Sequence, residues 1–205
     1  MIFTNLIETN LRTKKLGKQI EYYQRIDSTN KEAWEIIDLE DITHGTIVIT
    51  DNQLSGKGRN GNTWFMSPSK GLAMSIILKQ SISIQDGLLI PIAAGAAIAK
   101  ALENRGGNPK LKWPNDILIN NEKISGIISE IFSIKSDKYI NTGFGVNIVS
   151  SPKIENYPTT NINKYNKEIN NFYFVYEIME EYFKNFKQLL NNHEKIMTEY
   201  KSRLL

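Results

Sequence analysis

Between Gln53 and Trp64 the chain reads Gln-Leu-Ser-Gly-Lys-Gly-Arg-Asn-Gly-Asn-Thr-Trp. Glycine tolerates positive φ and lets a ligand approach the backbone closely, and Lys57 and Arg59 place two cations in the same turn as Gly56, Gly58 and Gly61. This composition predicts a loop that holds anions. The branched run Thr46–Thr50 precedes it and Gly71–Leu78 follows it, both with the character of strands, so the loop joins strand to strand. That placement decides among look-alikes. The spacing Gly56-x-Gly58-x-x-Gly61 matches the dinucleotide fingerprint, but that motif opens a helix, whereas Pro68 and a strand come next. A kinase glycine-rich loop needs His-Arg-Asp and Asp-Phe-Gly triplets, and a nucleotide P-loop needs Gly-x-x-x-x-Gly-Lys-Ser/Thr; the chain contains none of them. Taken alone, the segment also fits a polar hairpin whose glycines serve only turn geometry.

Four further segments carry chemistry-bearing residues: Ser28-Thr29-Asn30, Lys112-Trp113-Pro114-Asn115-Asp116, Lys123-Ile124-Ser125-Gly126-Ile127 and Gly143-Phe144-Gly145-Val146-Asn147. Each has an ordinary reading by itself, as a helix cap, a solvated lysine, a turn aspartate or a strand-end asparagine. Composition narrows the chemistry. The 205 residues include no cysteine and two histidines, which excludes disulfides, thiolate catalysis and cysteine-ligated metals; a metal, if used, is oxygen-bound, as Mg²⁺ is. The net charge of +3 comes from lysines spread along the chain, too mild and too diffuse to argue for nucleic-acid binding. Met1–Glu8 lacks the sustained apolar region of a signal peptide, and the chain is read as having no apolar run of membrane length; a cytoplasmic protein is expected.

These residues need elements to position them. Gln19–Ile26 alternates as a strand does and runs into Thr29 and Glu32, whose spacing suits a capping box; a helix is predicted from there to about Leu39–Asp41, with Ala33, Trp34, Ile36 and Ile37 on its apolar face. A second helix is predicted over about Asp86–Arg105, stopped by Gly106-Gly107, its alanines thin enough to lie close to a sheet. Short strands are expected at Lys110–Trp113, Asp116–Ile119, Lys123–Ile131 and Tyr139–Ile148, then a surface loop over Ser150–Asn171. From Phe172 to about Leu205, Val175, Tyr176, Met179, Tyr182, Phe183, Phe186, Leu189 and Leu190 mark one helical face. The expected fold is a single α+β domain with a mixed or antiparallel central sheet flanked by helices, its last part (about 172–205) helical.

In this order the five segments resemble the catalytic domain of the biotin protein ligases. The family's Gly-Arg-Gly-Arg-x-Gly-Arg-x-Trp is similar to Gly56–Trp64, its Lys-Trp-Pro-Asn-Asp stands at 112–116, its Lys-x-x-Gly-Ile at 123–127 and its Gly-x-Gly-x-Asn at 143–147. The resemblance is close from Tyr22 to Ile148 and loose beyond. It implies a class II synthetase-like fold and a two-step reaction: biotin and MgATP give biotinyl-5′-adenylate and pyrophosphate, and the adenylate then acylates a lysine of a biotin carboxyl carrier protein. Cations are needed there, because a carboxylate and the α-phosphate of ATP repel each other until their charge is offset. Lys57, Arg59, Lys112 and Lys123 are the candidates.

By the same resemblance, Ser28, Thr29, Asn30, Gln53 and Gly126 contact biotin, and Gly56, Lys57, Gly58 and Arg59 form a loop closing over biotin and the acyl-phosphate. Lys123 reaches the carboxylate and phosphate oxygens, with Arg59 and Asp116 beside it as catalytic candidates. Trp64 stacks on the adenine, and Asn62, Lys112, Asn115 and Asn147 line the nucleotide side. Asp116 either helps hold Mg²⁺ or takes a proton from the incoming lysine, and both roles stay open. Trp113 is expected mostly to pack beneath the biotin pocket. Two departures fall in the loop: Lys57 lacks the planar fork of the family's arginine, and Asn62 lacks the charge of another. The catalytic part starts by Tyr22, so no N-terminal helix-turn-helix is expected, and neither is the family's usual small C-terminal β-barrel. Family members often pair through their sheets, which allows a homodimer. Two alternatives accompany the ligase reading: a lipoate or octanoate ligase of the same architecture, and a biotin-binding protein without efficient catalysis.

Overall fold

Fourteen strands and α-helices, with two short 3-10 turns at Arg59–Gly61 and Ile162–Lys164, follow from the residue pattern in a computed structural model that describes residues 16–39, 42–134, 136–167 and 171–205. The reading of Met1–Glu8 lies outside the described residues, as does part of the 150–171 loop. In chain order the elements are β1 (Ile20–Tyr23), α1 (Thr29–Asp38), β2 (Thr46–Thr50), β3 (Gly56–Lys57), β4 (Thr63–Trp64), β5 (Gly71–Lys79) and α2 (Ile84–Gly87). They continue with α3 (Ile90–Glu103), β6 (Pro109–Lys112), β7 (Asp116–Ile119), β8 (Glu122–Ile134), β9 (Asp137–Asn147), α4 (Asn171–Asn191) and α5 (His193–Lys201). Seven strands form one mixed sheet in the order β1-β2-β5-β9-β8-β7-β6, with β1 parallel to β2 and the other pairs antiparallel. β3 and β4 make a separate two-stranded hairpin, which is the glycine-rich loop.

Side-chain alternation sorts the sheet into two faces. Ile47 and Ile49 of β2, Leu72, Met74, Ile76 and Leu78 of β5, and Ile140, Phe144 and Val146 of β9 pack in one core with α3, α4 and α5. Val48, Ile77 and Tyr139 point the other way and meet Ala33 and Ile37 of α1. Helix α1 covers only part of that second face. The remainder, on the odd-numbered residues of β9, is left for the site.

Local chemistry explains where the helices begin and end. Ser28, one residue before the predicted cap, is the N-cap of α1, its Oγ accepting from Lys31 N; Glu32 instead accepts from the Tyr23 hydroxyl at 2.7 Å. The helix predicted over 86–105 is two, because Pro91 cannot donate a backbone hydrogen bond and so suits the first turn of a new helix at Ile90. Gly106, at φ +80°, ends it. By length and composition Gln85–Glu103 is apolar enough to cross a membrane, contrary to the expectation of no such run; most of it is buried in this fold, where it serves the core. The C-terminal helix is also divided, at Asn192, whose side chain caps α5 by accepting from Glu194 N at 3.0 Å. The chain then runs along β6: Leu111 N donates to Arg203 O and Leu205 N to Leu111 O, while Arg203 makes a two-pronged ion pair with Glu103.

Phe183 of α4 is fully buried in the core that the sheet shares with α3, α4 and α5. Phe183→Ala is expected to destabilise the domain by about 3–5 kcal/mol in urea denaturation, and a loss well under 1 kcal/mol would contradict this packing.

Candidate functional site

A row of small residues runs in register across the part of the sheet that α1 leaves uncovered: Thr50 pairs with Ala73, Ala73 with Gly145, Gly145 with Gly126, and Gly126 with Asp116. Side chains this small leave a flat trough on the face opposite α3 and α4. Over it lies a cavity of about 530 Å³, within the range of small-molecule sites. Its rim is the β3–β4 hairpin, the N-terminus of α1 and the segment after β9.

On the β2–β5 side, Gln53 and the start of α1 form a polar network. Gln53 Oε1 accepts from Thr29 N at 2.8 Å and from Thr29 Oγ1 at 3.3 Å, and Ser75 Oγ donates to Thr29 Oγ1 at 3.0 Å. All three residues are buried. Asn30 is buried beside them; both polar atoms of its side-chain amide lack partners, although its backbone carbonyl accepts from Asn141 Nδ2. A buried polar group without a partner costs about 1–3 kcal/mol, so an amide in this state on a cavity wall is a ready contact for a polar ligand.

On the β7–β8 side stands the ionic centre. Lys123 Nζ is 2.7 Å from Asp116 Oδ1, and the Tyr157 hydroxyl donates to Asp116 Oδ2 at 2.6 Å. Burial first, and then the bond to Asp116, push the Tyr157 phenol above its ordinary pKa, so it remains a protonated donor at neutral pH. Lys123 is held by its backbone as well: its N–H donates to Pro158 O and its carbonyl accepts from Thr160 N. Asn147 Nδ2 donates to Thr160 O, tying β9 to the same segment.

The hairpin closes over this centre. Arg59 is exposed, and its Nη1 donates to Asn115 Oδ1 at 3.3 Å, while Asn115 Nδ2 donates to Ile127 O. Trp64 lies directly on the glycine row: a Cβ added at Gly145 would sit 2.2 Å from its ring, and one at Gly126 would sit 3.4 Å away. Its Nε1 is buried without a partner. The lining holds three cations, Lys57, Arg59 and Lys123, against one carboxylate, Asp116. Such a site is built to receive negative charge.

Most residues singled out from the sequence converge here. Ser28, Thr29, Asn30, Gln53, Lys57, Gly58, Arg59, Asn62, Trp64, Asn115, Asp116, Lys123, Gly126 and Asn147 all line the cavity. Gly56 does not; it is needed beneath the lining, because a Cβ there would meet Gln53 Nε2 at 2.3 Å and Trp64 O at 2.5 Å. Within the loop, positive φ falls on Asn60 and Gly61, whereas Gly58 is extended at φ −119°. Lys112 is exposed and outside the lining, its Nζ 5.7 Å from the Tyr157 ring centroid. Trp113 is 62% exposed and meets Tyr200 edge-on, so it does not pack beneath the pocket. Asp116 has both oxygens engaged, and no cluster of three or more metal-ligating His, Cys, Asp or Glu occurs among the described residues. Sequence reading missed Ser75, Tyr157 and Thr159. The last two sit in a segment whose Asn, Lys and Pro content signals only a loop.

The model of the biotin/lipoate A/B protein ligase family matches residues 22–147, well over half of the chain. The chain belongs to this family. Relatives in it include the bifunctional ligase/repressor BirA of Bacillus subtilis, 32% identical over 149 residues that make up 71% of this chain and 45% of that protein. Human biotin–protein ligase is 31% identical over 171 residues, 78% of this chain and 23% of the relative. The chain therefore spans under half the length of either. Among solved structures, a biotin protein ligase from Aquifex aeolicus in complex with biotin and ATP superposes with a TM-score of 0.75 at 22% identity, over 92% of this chain and 79% of the other. One from Leishmania major in complex with biotinyl-5-AMP gives 0.69 at 21%, over 91% and 81%. The fold of the biotin/lipoate A/B protein ligases is thus the fold of this chain, as its motifs implied.

Proposed function

We propose that this chain joins biotin to ATP and then to protein: it forms biotinyl-5′-adenylate with release of pyrophosphate, and passes the biotinyl group to a lysine of a biotin carboxyl carrier domain. The observation that carries the reading is a single cavity holding both the buried Thr29–Gln53–Ser75 network and the Asp116–Lys123 pair beneath a cationic hairpin. A small polar ring system suits the first, with Ser28, Asn30 and Gly126 around it. The carboxylate and phosphates suit the second.

In the first step a biotin carboxylate oxygen attacks the α-phosphorus, the bond to the β-phosphate oxygen breaks, and pyrophosphate leaves with the electron pair. Lys123 and Arg59 offset charge that builds on the phosphoryl oxygens, at a site where donors are already fixed. Asn62, Asn115 and Asn147 line the nucleotide side and Trp64 supplies the stacking surface for adenine. In the second step the carrier lysine attacks the acyl carbon, AMP leaves, and the amine loses a proton, for which Asp116 is the nearest carboxylate. Mg²⁺ enters as MgATP, with its ligands supplied mainly by phosphates and water. The carrier domain and, through the sheet, a second copy of the chain are the partners in this reading; nucleic acid and membrane are not, and the reaction is cytoplasmic.

Exchange of labelled pyrophosphate into ATP tests the first step. Exchange that requires biotin supports the reading; exchange with lipoate alone moves the chain to lipoate chemistry; tight biotin binding with no exchange leaves a binder. The hairpin gives a second test. Arg59 ties it to Asn115, and a hydrogen bond to a charged group contributes about 1.5–3 kcal/mol, so Arg59→Gly is expected to release free adenylate on the order of tenfold faster. Adenylate retention on a rapid desalting column measures this, and retention equal to wild type would contradict the closing role.

A further inference from the structure

Tyr157 touches every charged group of the centre except the hairpin cations, yet it belongs to no strand of the sheet and to none of the motifs. Its hydroxyl donates to Asp116 Oδ2 at 2.6 Å, while Lys123 occupies the other carboxylate oxygen at 2.7 Å. Its ring centroid lies 5.5 Å from Lys123 Nζ and 5.7 Å from Lys112 Nζ, within cation–π range of both. The backbone around it is pinned. Tyr157 N donates to Ile154 O, and the next residue, Pro158, accepts from Lys123 N. The ring is therefore delivered by the same segment that clamps the Lys123 backbone.

We propose that Tyr157 is a positioning residue that holds Asp116, Lys123 and Lys112 as one unit at the phosphate-receiving end of the cavity. Its hydroxyl fixes the Asp116 carboxylate, the carboxylate aims the Lys123 ammonium, and the ring keeps the exposed Lys112 near the centre, although Lys112 does not reach the lining. Without the hydroxyl, Asp116 Oδ2 loses its donor and the lysine it aims gains freedom; without the ring, Lys112 loses the cation–π contact that draws it there. The kinetic part of this proposal rests on the biotin ligase reading. The geometric part does not.

Tyr157→Phe removes the hydroxyl and keeps the ring, and Tyr157→Leu removes both. The geometric arm uses the protein without substrates: the rate at which an acetylating reagent modifies Lys123, followed by peptide mass, is expected to rise about threefold in Tyr157→Phe, as the loss of one hydrogen bond allows. An unchanged rate overturns the proposal. The kinetic arm measures biotin-dependent pyrophosphate release. Tyr157→Phe is expected to lower kcat about tenfold with KM for biotin within about a factor of two, and Tyr157→Leu to lower it further. In an Asp116→Ala background, Tyr157→Phe should cause no further loss, since the hydroxyl acts only through that carboxylate. Equal losses in both backgrounds, or a loss that tracks the melting temperature, overturn it. A wild-type protein with no biotin-dependent release refutes the ligase reading, and the labelling result then still decides the role of Tyr157.

Discussion

Lys123→Ala is expected to lower biotin-dependent pyrophosphate release by about 10²–10³-fold, the usual effect of removing one donor aimed at developing charge in a fixed site. Lys123 is the cation best placed for this. It stands on β8 beside Gly126, where a side chain would come within 3.3 Å of its Nζ, so the glycine keeps a path open to the ammonium. Asp116 holds its direction, and its backbone is paired on the loop side. Lys57 and Arg59 also line the cavity, but both are exposed on the hairpin, and Arg59 is tied to Asn115 and not to the Asp116–Lys123 pair. The loss should fall on kcat, because the interaction strengthens in the transition state. Some stability will go too: breaking a buried ion pair costs about 3–5 kcal/mol, and with side chains 21% and 14% exposed and Tyr157 still bonded to Asp116 the loss should lie below that. Pyrophosphate release and a thermal melt, run together, separate the two effects. A folded variant that releases pyrophosphate as wild type does would remove Lys123 from the chemistry.

Gly145→Ala is the second large effect. One methyl group there would lie 2.2 Å from the Trp64 ring, so the indole must leave the glycine row. Stacking of a base on an aromatic side chain contributes about 1–3 kcal/mol, and losing the platform should weaken ATP binding on the order of ten- to a hundredfold. The sheet itself tolerates the methyl group, since the clash is with the end of a side chain on a separate hairpin. Calorimetric titration with ATP should show the loss in Gly145→Ala and in Trp64→Ala, with little added in the double variant. Full ATP affinity in Gly145→Ala would mean that Trp64 does not serve the nucleotide from where it stands.

Much of this site could be read from the chain because its residues sit in short motifs whose order survives without the fold. Lys112–Asp116 and Lys123–Ile127 are neighbours in sequence, and a tight turn between β7 and β8 makes them neighbours in space. What sequence alone could not show was the reason for several residue choices. Gly56 reads as a flexible loop residue, but its need is steric, set by Gln53 and Trp64 from either side. Gly145 reads as part of a motif, yet it is the floor on which an indole lies. Tyr157 gives no signal at all, because its partners lie 41 and 34 positions earlier and only the return of the chain past Lys123 brings them together. Trp113 misled for the opposite reason: a large apolar residue predicts burial, whereas here it stands at the surface against Tyr200.

The elements show the same division. Periodicity located α1 and α4, whose apolar residues recur along one face, a run of alanines located α3, which is buried on nearly every side, and short apolar runs located most strands of the sheet. The breaks were harder to see. At Leu88–Leu89 the apolar pattern continues through a turn, and at Asn192 a polar residue inside an amphipathic run gives no warning that its side chain will cap a new helix.

Intact mass of a biotin carboxyl carrier domain, after incubation with this protein, biotin and MgATP, tests the central claim most directly. The account predicts one biotinyl group on one lysine, lost when ATP is omitted and absent with Lys123→Ala. A carrier domain that keeps its unmodified mass, although the protein is folded and both substrates are bound, would contradict it.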